Sequence, residues 1–194
     1  MNTLMDFVKI YNVIPSEVCD EILAEVNQNR EWQKHTYNPT FKRPTGTHFP
    51  PTEFEFMDST REQSLQIMPY VEKVMRQYNQ YINETNSFPG YDASTGVASC
   101  TPIRFNRCKT HTLVETHHDH IQELFGPGNT SIPSVSVVGL LNEEFTGGEF
   151  VLFKDTVIPL KKGDILLFPS TYLYPHRVDK VKSGVRNSFV TWAF

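Results

Sequence analysis

Apolar residues recur at helical spacing in two stretches of the first half of the chain. The first stretch follows Ser16, a predicted N-cap, and carries an apolar stripe on one face. This stripe consists of Val18, Ile22 and Val26. A second helix is predicted over residues 70–83, with Pro69 placed near its first turn because proline is well tolerated there.

From about residue 100 the pattern changes to short runs rich in β-branched and aromatic residues, separated by turn signals. A short strand is also predicted near the beginning of the chain, over residues 7–11. The later strands are predicted over residues 102–106, 113–120, 135–141, 149–153, 164–168, 176–178 and 186–192. Two N-terminal helices followed by many short antiparallel strands predict a mostly β fold of the α+β type. Its core would be a double-stranded β-helix, or jelly roll, of about eight strands.

The segment from Trp32 to Ser59 interrupts this pattern. Four prolines break regular structure, while several phenylalanines keep the segment apolar. We therefore expect a long ordered loop with short strands. Ordered loops beside a rigid barrel commonly carry specificity, so this loop is a candidate cover for a substrate.

Length and composition favour a single domain over residues 1–194. Residues 1–99 would form helical support and loops, and residues 100–194 would form the catalytic core. The net charge of -4 argues against nucleic acid as a partner. An odd count of three cysteines, without an apolar leader or membrane-spanning run, leads us to expect a cytoplasmic protein with no membrane association.

The most informative residues are His117 and Asp119, read together with His176 and Arg186. On a strand, residues two apart point to the same face, so the first two side chains would lie together. Two imidazoles and one carboxylate are the ligands of mononuclear non-haem Fe(II) oxygenases, and His176 can supply the third ligand. The guanidinium of Arg186 suits a dicarboxylate co-substrate, since it can hold a carboxylate through two charged hydrogen bonds.

Several segments in the same order resemble the prolyl 4-hydroxylase-like branch of the 2-oxoglutarate and Fe(II)-dependent oxygenases. His117-His118-Asp119 resembles the HxD box of that branch, and His176-Arg177-Val178 resembles its distal-histidine box. Three further segments resemble its glycine-glycine-glutamate strand, its FPS segment and its closing strand. They are Phe145-Thr146-Gly147-Gly148-Glu149-Phe150, Lys162-Gly163-Asp164-Ile165-Leu166-Leu167-Phe168-Pro169-Ser170 and Gly184-Val185-Arg186-Asn187-Ser188-Phe189.

The resemblance implies Fe(II) bound by His117, Asp119 and His176, with 2-oxoglutarate as co-substrate, O2 as oxidant and ascorbate as an accessory reductant. The implied reaction hydroxylates a substrate C–H bond and releases succinate and CO2. The leading substrate by analogy is a peptidyl proline in a peptide or protein, with small molecules as further possibilities. Two alternatives stay open: a cupin-like metalloenzyme that does not use 2-oxoglutarate, and a non-catalytic binding module on a jelly roll.

The resemblance also implies which residues bind the co-substrate. Arg186, with Ser188 on the same face of its strand, would hold the 5-carboxylate of 2-oxoglutarate. The strand before the HxD box usually carries a tyrosine whose hydroxyl contacts the co-substrate, and here its expected counterpart is Phe105. A phenylalanine ring can pack there but cannot donate a hydrogen bond. A replacement polar group would then come from Thr110, His111 or Thr112.

Overall fold

The computed structural model describes residues 3–28, 31–35, 54–86, 89–90, 92–93, 97, 99–119 and 133–194. A short 3-10 helix, Leu4–Phe7, precedes two α-helices, α1 (Ser16–Gln28) and α2 (Arg61–Asn86). The strands in the described residues are β1 Lys9–Asn12, β2 Gln33–His35, β3 Phe54–Asp58, β4 Arg104–Lys109, β5 Val114–His117, β6 Val135–Leu140, β7 Phe145–Gly147, β8 Phe150–Leu152, β9 Thr156–Ile158, β10 Asp164–Pro169, β11 His176–Val178 and β12 Val181–Ala193.

These strands form two antiparallel sheets. The major sheet has the order β1-β10-β6-β12-β4-β3-β2, and β7 pairs with β12 beside it. The minor sheet has the order β5-β11-β8-β9. The prediction of a mostly β jelly-roll fold with N-terminal helices is confirmed. Helices and minor sheet cover opposite faces of the major sheet, so its central strands β6 and β10 are almost wholly buried.

The two faces of the major sheet belong to two different cores. Its outer face packs against α1 and α2, and Val137, Leu167 and Phe189 belong to that core. Its inner face looks toward the minor sheet, where Val138 and Leu166 pack against Phe150 and other residues of that sheet. Successive residues of a strand therefore alternate between the helices and the space between the sheets. This alternation decides which side chains can reach the site described below.

Helix α2 begins nine residues before the predicted start. The hydroxyl of Thr60 accepts a hydrogen bond from the backbone N–H of Gln63 at 3.2 Å, and the Gln63 side chain accepts one from the N–H of Thr60 at 3.0 Å. This reciprocal capping box starts the helix at Arg61. Pro69 lies inside the helix, where its ring leaves the carbonyl of the exposed Leu65 without the usual backbone donor. The prediction that Pro69 marks the first turn was wrong, because the cap outweighs the proline.

The predicted loop over residues 32–59 contains two strands in its described parts, β2 and β3. They pair with each other, and β3 also pairs with β4, so they extend the major sheet. The intervening residues 36–53 lie outside the described residues. Strands β7 and β9 were not predicted, and β5 ends at His117 rather than at residue 120.

The longer of the two helices, α2, carries too many polar residues to cross a bilayer. More generally, none of the described helices is both long and apolar enough to do so.

Candidate metal centre

The minor sheet brings His117 and His176 together as directly opposed residues. His117 is the last residue of β5, His176 is the first of β11, and the two are register partners. Their ring centroids lie 4.3 Å apart. Cross-strand neighbours of this kind are held by the backbone ladder, so the separation of the two imidazoles is set by the sheet.

Asp119 joins the two histidines from just beyond the end of β5. Its Oδ1 lies 3.5 Å from Nε2 of His117 and 3.7 Å from Nε2 of His176. One ligand atom from each of the three residues lies within 4.8 Å of the others. Because the strand ends at His117, strand alternation does not position the carboxylate, contrary to the reasoning from sequence.

Hydrogen bonds to the backbone orient both imidazoles. Nδ1 of His117 lies 2.7 Å from the carbonyl oxygen of Glu115, and Nδ1 of His176 lies 3.1 Å from that of Tyr174. A carbonyl only accepts, so each Nδ1 carries the proton and donates it. Nε2 of each ring is therefore the nitrogen that faces Asp119, and in the neutral imidazole this nitrogen carries the lone pair that a metal ion requires.

Two buried serines hold the other oxygen of Asp119. The hydroxyl of Ser136 donates to Oδ2 at 2.5 Å, and Ser136 lies 2.8 Å from the hydroxyl oxygen of Ser170. Since Ser136 has one proton and gives it to the carboxylate, Ser170 must donate to Ser136. This relay ties Asp119 to β6 and to the end of β10, and it leaves Oδ1 available. Sequence reasoning missed both serines, because their contact with Asp119 crosses between the two sheets.

Aromatic rings enclose His176. Its ring stacks on Phe150 with centroids 5.4 Å apart and meets the edge of Phe168 at 4.9 Å. His176 itself is only 5% exposed. These walls fix the ring orientation and exclude water from one side of the site.

Burial and the neighbouring charges set the protonation of the three groups. Burial lowers the pKa of His176 to about 4, although the charge of Asp119 opposes the shift. For His117, burial acts in the same direction, but the hydrogen bond and charge of Asp119 and the Glu115 carbonyl raise the pKa above its usual value. Burial alone would raise the pKa of Asp119, yet the two histidines and Ser136 hold it well below the normal range. Near neutral pH the site therefore holds an anionic carboxylate and a neutral His176.

This donor set fits a divalent transition metal. Two imidazole nitrogens and one carboxylate oxygen converge within 4.8 Å of one another, which is the ligand set of the facial triad of non-haem Fe(II) enzymes. The carboxylate supplies negative charge, and every ligand has an outer hydrogen bond that orients it.

Arg186 and Ser188 lie on the inner face of β12, the face that also carries Ser136 on β6. Nη1 of Arg186 donates to the Ser188 hydroxyl oxygen at 3.0 Å. Arg186 is only 2% exposed, and burial lowers the pKa of its guanidinium. Among the described residues, no carboxylate lies within ion-pair distance of it. A buried cation without a counter-ion is costly, which favours binding of an anion at this place.

Phe105 does not lie on this face, which corrects its predicted contact with the co-substrate. It belongs to the core between the major sheet and the helices. Arg186 is instead opposite Cys108, and Ser188 is opposite Asn106. Directly opposed residues share a face, so Cys108 and Asn106 are the residues of β4 that adjoin Arg186 and Ser188. A one-residue error in assigning the face of β4 exchanged these residues for Phe105.

Of the three polar residues expected to replace the tyrosine, Thr112 contacts the thiol of Cys108 on the inner face, and the other two lie in the turn after β4. Thr110 and His111 form an exposed turn after β4, and Thr112 is partly buried just beyond it. Thr110 donates to the carbonyl of Gly184, and Thr112 donates to that of Lys109. They close the connection to β5.

Gly148 makes room for Arg186. A Cβ atom at Gly148 would lie 3.1 Å from Cδ of Arg186 and 3.1 Å from a methyl group of Val181. The residue also has φ of +68°, a conformation that side chains disfavour. The second glycine of the Gly147-Gly148 pair is thus explained by the close approach of the buried arginine.

His35, Phe56 and Arg104 form a further wall on the inner face of β2, β3 and β4. The Arg104 guanidinium lies 3.6 Å from the centroid of the Phe56 ring, and the His35 ring lies edge-on to that ring at 5.9 Å. Burial lowers the pKa of His35 to about 4, assisted by the charges of Arg104 and His117. The described ends of the predicted cover segment therefore face the metal-ligand cluster.

Comparison with known families and structures relates the chain to one group of oxygenases. Residues 103–194 match the family model described as the 2OG-Fe(II) oxygenase superfamily. No curated protein sequence matches the chain.

Three solved structures share the fold. A prolyl-4-hydroxylase from Pseudomonas putida has 17% identity and a TM-score of 0.65, with 96% of this chain and 91% of that chain covered. A prolyl hydroxylase from Trichoplax adhaerens, solved with a hypoxia-inducible-factor peptide fragment, has 15% identity and a TM-score of 0.65, with 97% and 84% covered. A viral collagen prolyl hydroxylase from Paramecium bursaria Chlorella virus-1, solved with 2OG, has 15% identity and a TM-score of 0.59, with 96% and 94% covered. These likenesses establish the architecture.

The Ser136 hydroxyl should contribute to metal affinity through Asp119. The Ser136→Ala variant is expected to bind Fe(II) about 10–100-fold more weakly, because Oδ2 loses its donor and the carboxylate loses its orientation. Competition with a chelator under anaerobic conditions measures this. Ser170→Ala is the matched control and should lose less, since Ser170 reaches Asp119 only through Ser136. Equal affinities of wild type and Ser136→Ala would contradict this role.

The two histidines should lower the metal affinity in two separate pH ranges, His117 first and His176 at lower pH. His117 has the raised pKa, so as the pH falls through that value its proton competes with the metal, and affinity should drop about tenfold per pH unit. His176 adds a second proton only near its pKa of about 4, and Asp119 stays charged throughout. Chelator competition from pH 8 to pH 4 tests this. A two-proton slope near neutrality, or a flat profile, would be incompatible with it.

Proposed function

We propose that this chain is a 2-oxoglutarate-dependent dioxygenase that hydroxylates a peptidyl proline at an Fe(II) centre formed by His117, Asp119 and His176. The match of residues 103–194 to the model of the 2OG-Fe(II) oxygenase superfamily supports the proposal. The observation that carries the proposal is the convergence of these three ligand atoms within 4.8 Å, on the inner face that also holds the buried Arg186. Iron, when bound, supplies the activation of O2 and the oxidation of the substrate C–H bond.

The contribution of the protein at the metal is orientation. The Glu115 and Tyr174 carbonyls accept from Nδ1 of the two rings and so direct both Nε2 atoms inward, while Ser136 binds Oδ2 of Asp119 and leaves Oδ1 facing them. All three ligands approach from one side, which leaves the opposite side for co-substrate, oxygen and substrate. Phe150 and Phe168 keep water away from His176.

Arg186 and Ser188 would hold the distal carboxylate of 2-oxoglutarate. The guanidinium is buried, carries a positive charge and already contacts Ser188, whose own hydroxyl proton remains available for a second acceptor. Binding a carboxylate here neutralises a charge whose burial would otherwise be unfavourable. The other end of the co-substrate would then extend toward the metal ligands.

A single domain over residues 1–194 is the corresponding proposal for the organisation of the chain. Residues 100–194 contain the proposed metal ligands and the proposed co-substrate residues, and residues 1–99 support them. The support is direct, since α1 and α2 share one core with the outer face of the major sheet. Strands β1 to β3 also belong to that sheet.

A peptide substrate is favoured by analogy with the structural relatives, one of which was solved with a peptide fragment. The wall of His35, Phe56 and Arg104 offers apolar rings and a guanidinium facing the metal ligands, which suits an extended peptide with polar groups. Proline as the hydroxylated residue rests on this analogy alone.

Reconstitution with Fe(II) under anaerobic conditions, followed by addition of 2-oxoglutarate and O2, tests the activity. We expect succinate formation to require both Fe(II) and 2-oxoglutarate. The rate of succinate formation should rise when one or more members of a panel of proline-containing peptides are added, and the peptide that raises it should become 16 Da heavier. Asp119→Ala should abolish all three results. Succinate without any peptide hydroxylation would reject the proline assignment, and no succinate under any condition would reject the dioxygenase proposal.

Removing the guanidinium of Arg186 should weaken the binding of 2-oxoglutarate and leave metal binding unchanged. Arg186→Ala is expected to lower the affinity for 2-oxoglutarate about 10–200-fold, because charged hydrogen bonds contribute about 1.5–3 kcal/mol each. Calorimetry with Mn(II)-loaded protein measures the affinity without turnover. The control Arg107→Ala removes an arginine from the outer face of the same sheet, where it pairs with Glu55, and should bind normally. Normal binding by Arg186→Ala as well would exclude Arg186 from this role.

A further inference from the structure

We infer that Asn106 donates a hydrogen bond to the distal carboxylate of 2-oxoglutarate and so completes, with Arg186 and Ser188, a three-sided binding site. The inference rests on the proposed use of 2-oxoglutarate by this chain. It identifies the group that takes the place of the tyrosine hydroxyl, which Phe105 cannot supply.

The strand register places the side chain of Asn106 beside the position that the distal carboxylate of 2-oxoglutarate would occupy. Asn106 on β4 is directly opposite Ser188 on β12, and both face the inner side of the major sheet. Nη1 of Arg186 lies 3.0 Å from the Ser188 hydroxyl oxygen, so the guanidinium reaches along the sheet to the level of this pair. An anion held by Arg186 and Ser188 is therefore adjacent to the amide of Asn106.

The amide of Asn106 has an unused buried end. Its Oδ1 is buried, and no described residue offers it a hydrogen-bond partner. Leaving a buried polar group unpaired is unfavourable, so such a group is expected to find a partner in a ligand. A half turn of the amide exchanges Oδ1 for Nδ2, and Nδ2 is the donor that a carboxylate requires.

Neighbouring residues of β4 are poorer donors. The pKa of the Cys108 thiol is raised, chiefly by burial, and a thiol is a weak donor. Arg104, one step further along the inner face, stacks on the Phe56 ring. Phe105 and Arg107 lie on the outer face, where Arg107 pairs with Glu55. Asn106 is thus the neutral polar side chain of β4 that adjoins the Arg186–Ser188 pair.

Affinities of Mn(II)-loaded variants for two ligands test the inference by calorimetry. The ligands are 2-oxoglutarate and 2-oxopentanoate, which has the same keto-acid end and chain length but a methyl group in place of the distal carboxylate. We expect Asn106→Ala to lower the affinity for 2-oxoglutarate about tenfold or more. Asn106→Asp should lower this affinity further, because the new carboxylate repels the distal carboxylate of the ligand. Binding of 2-oxopentanoate and of Mn(II) should be unchanged by Asn106→Ala.

Asn187→Ala is the matched control, because Asn187 is a buried asparagine on β12 that faces the outer side and also has an unpartnered Oδ1. It should bind 2-oxoglutarate like the wild type. If Asn106→Ala lost affinity equally for both ligands, or lost none for either, the inference about Asn106 would be overturned. The proposed function would still stand if Arg186→Ala bound 2-oxoglutarate more weakly than the wild type. Failure of the wild type to bind 2-oxoglutarate would instead reject the proposed function.

Discussion

The site depends on a buried carboxylate whose two oxygens have different partners. Oδ2 of Asp119 accepts the proton of Ser136, and Oδ1 faces the Nε2 atoms of His117 and His176. A buried anion needs compensation from its surroundings, and here the two imidazoles and the hydroxyl provide it. The same compensation keeps the carboxylate ionised and keeps one oxygen available for a metal ion.

Each of the two sheets positions a different part of this site. The minor sheet sets the separation of the two histidines through a direct pairing of β5 and β11. The major sheet contributes Ser136 on β6 and Arg186 on β12, which both face inward. Helices α1 and α2 cover the other face of the major sheet, so the register that aligns these side chains is stabilised by a core remote from the chemistry.

Local patterns were sufficient to predict part of this architecture. The spacing of His117 and Asp119, with His176 further along the chain, indicated a metal site, and the predicted strand at 176–178 coincides with β11. The turn residues and β-rich segments of the second half indicated a jelly roll. These features are visible in sequence because each depends on neighbouring residues or on a short motif.

The remaining features depend on long-range pairing or on competing local signals. Ser136 reaches Asp119 only because separate strands meet, and a sequence does not show which strands these will be. The face of β4 was misassigned, so Phe105 was chosen instead of Cys108 and Asn106; a strand offers two faces, and one residue decides between them. For α2, the prediction relied on Pro69 and did not use the capping box at Thr60, which starts the helix at Arg61.

The most direct test is a crystal structure of the protein grown without oxygen in the presence of Fe(II) and 2-oxoglutarate, with the metal located by anomalous scattering at the iron edge. We predict one strong peak within coordination distance of Nε2 of His117, Nε2 of His176 and Oδ1 of Asp119. The keto-acid end of 2-oxoglutarate should be on the metal and its distal carboxylate at Arg186. A peak at any other group of side chains, or a metal that contacts only one of the two histidines, would contradict this account.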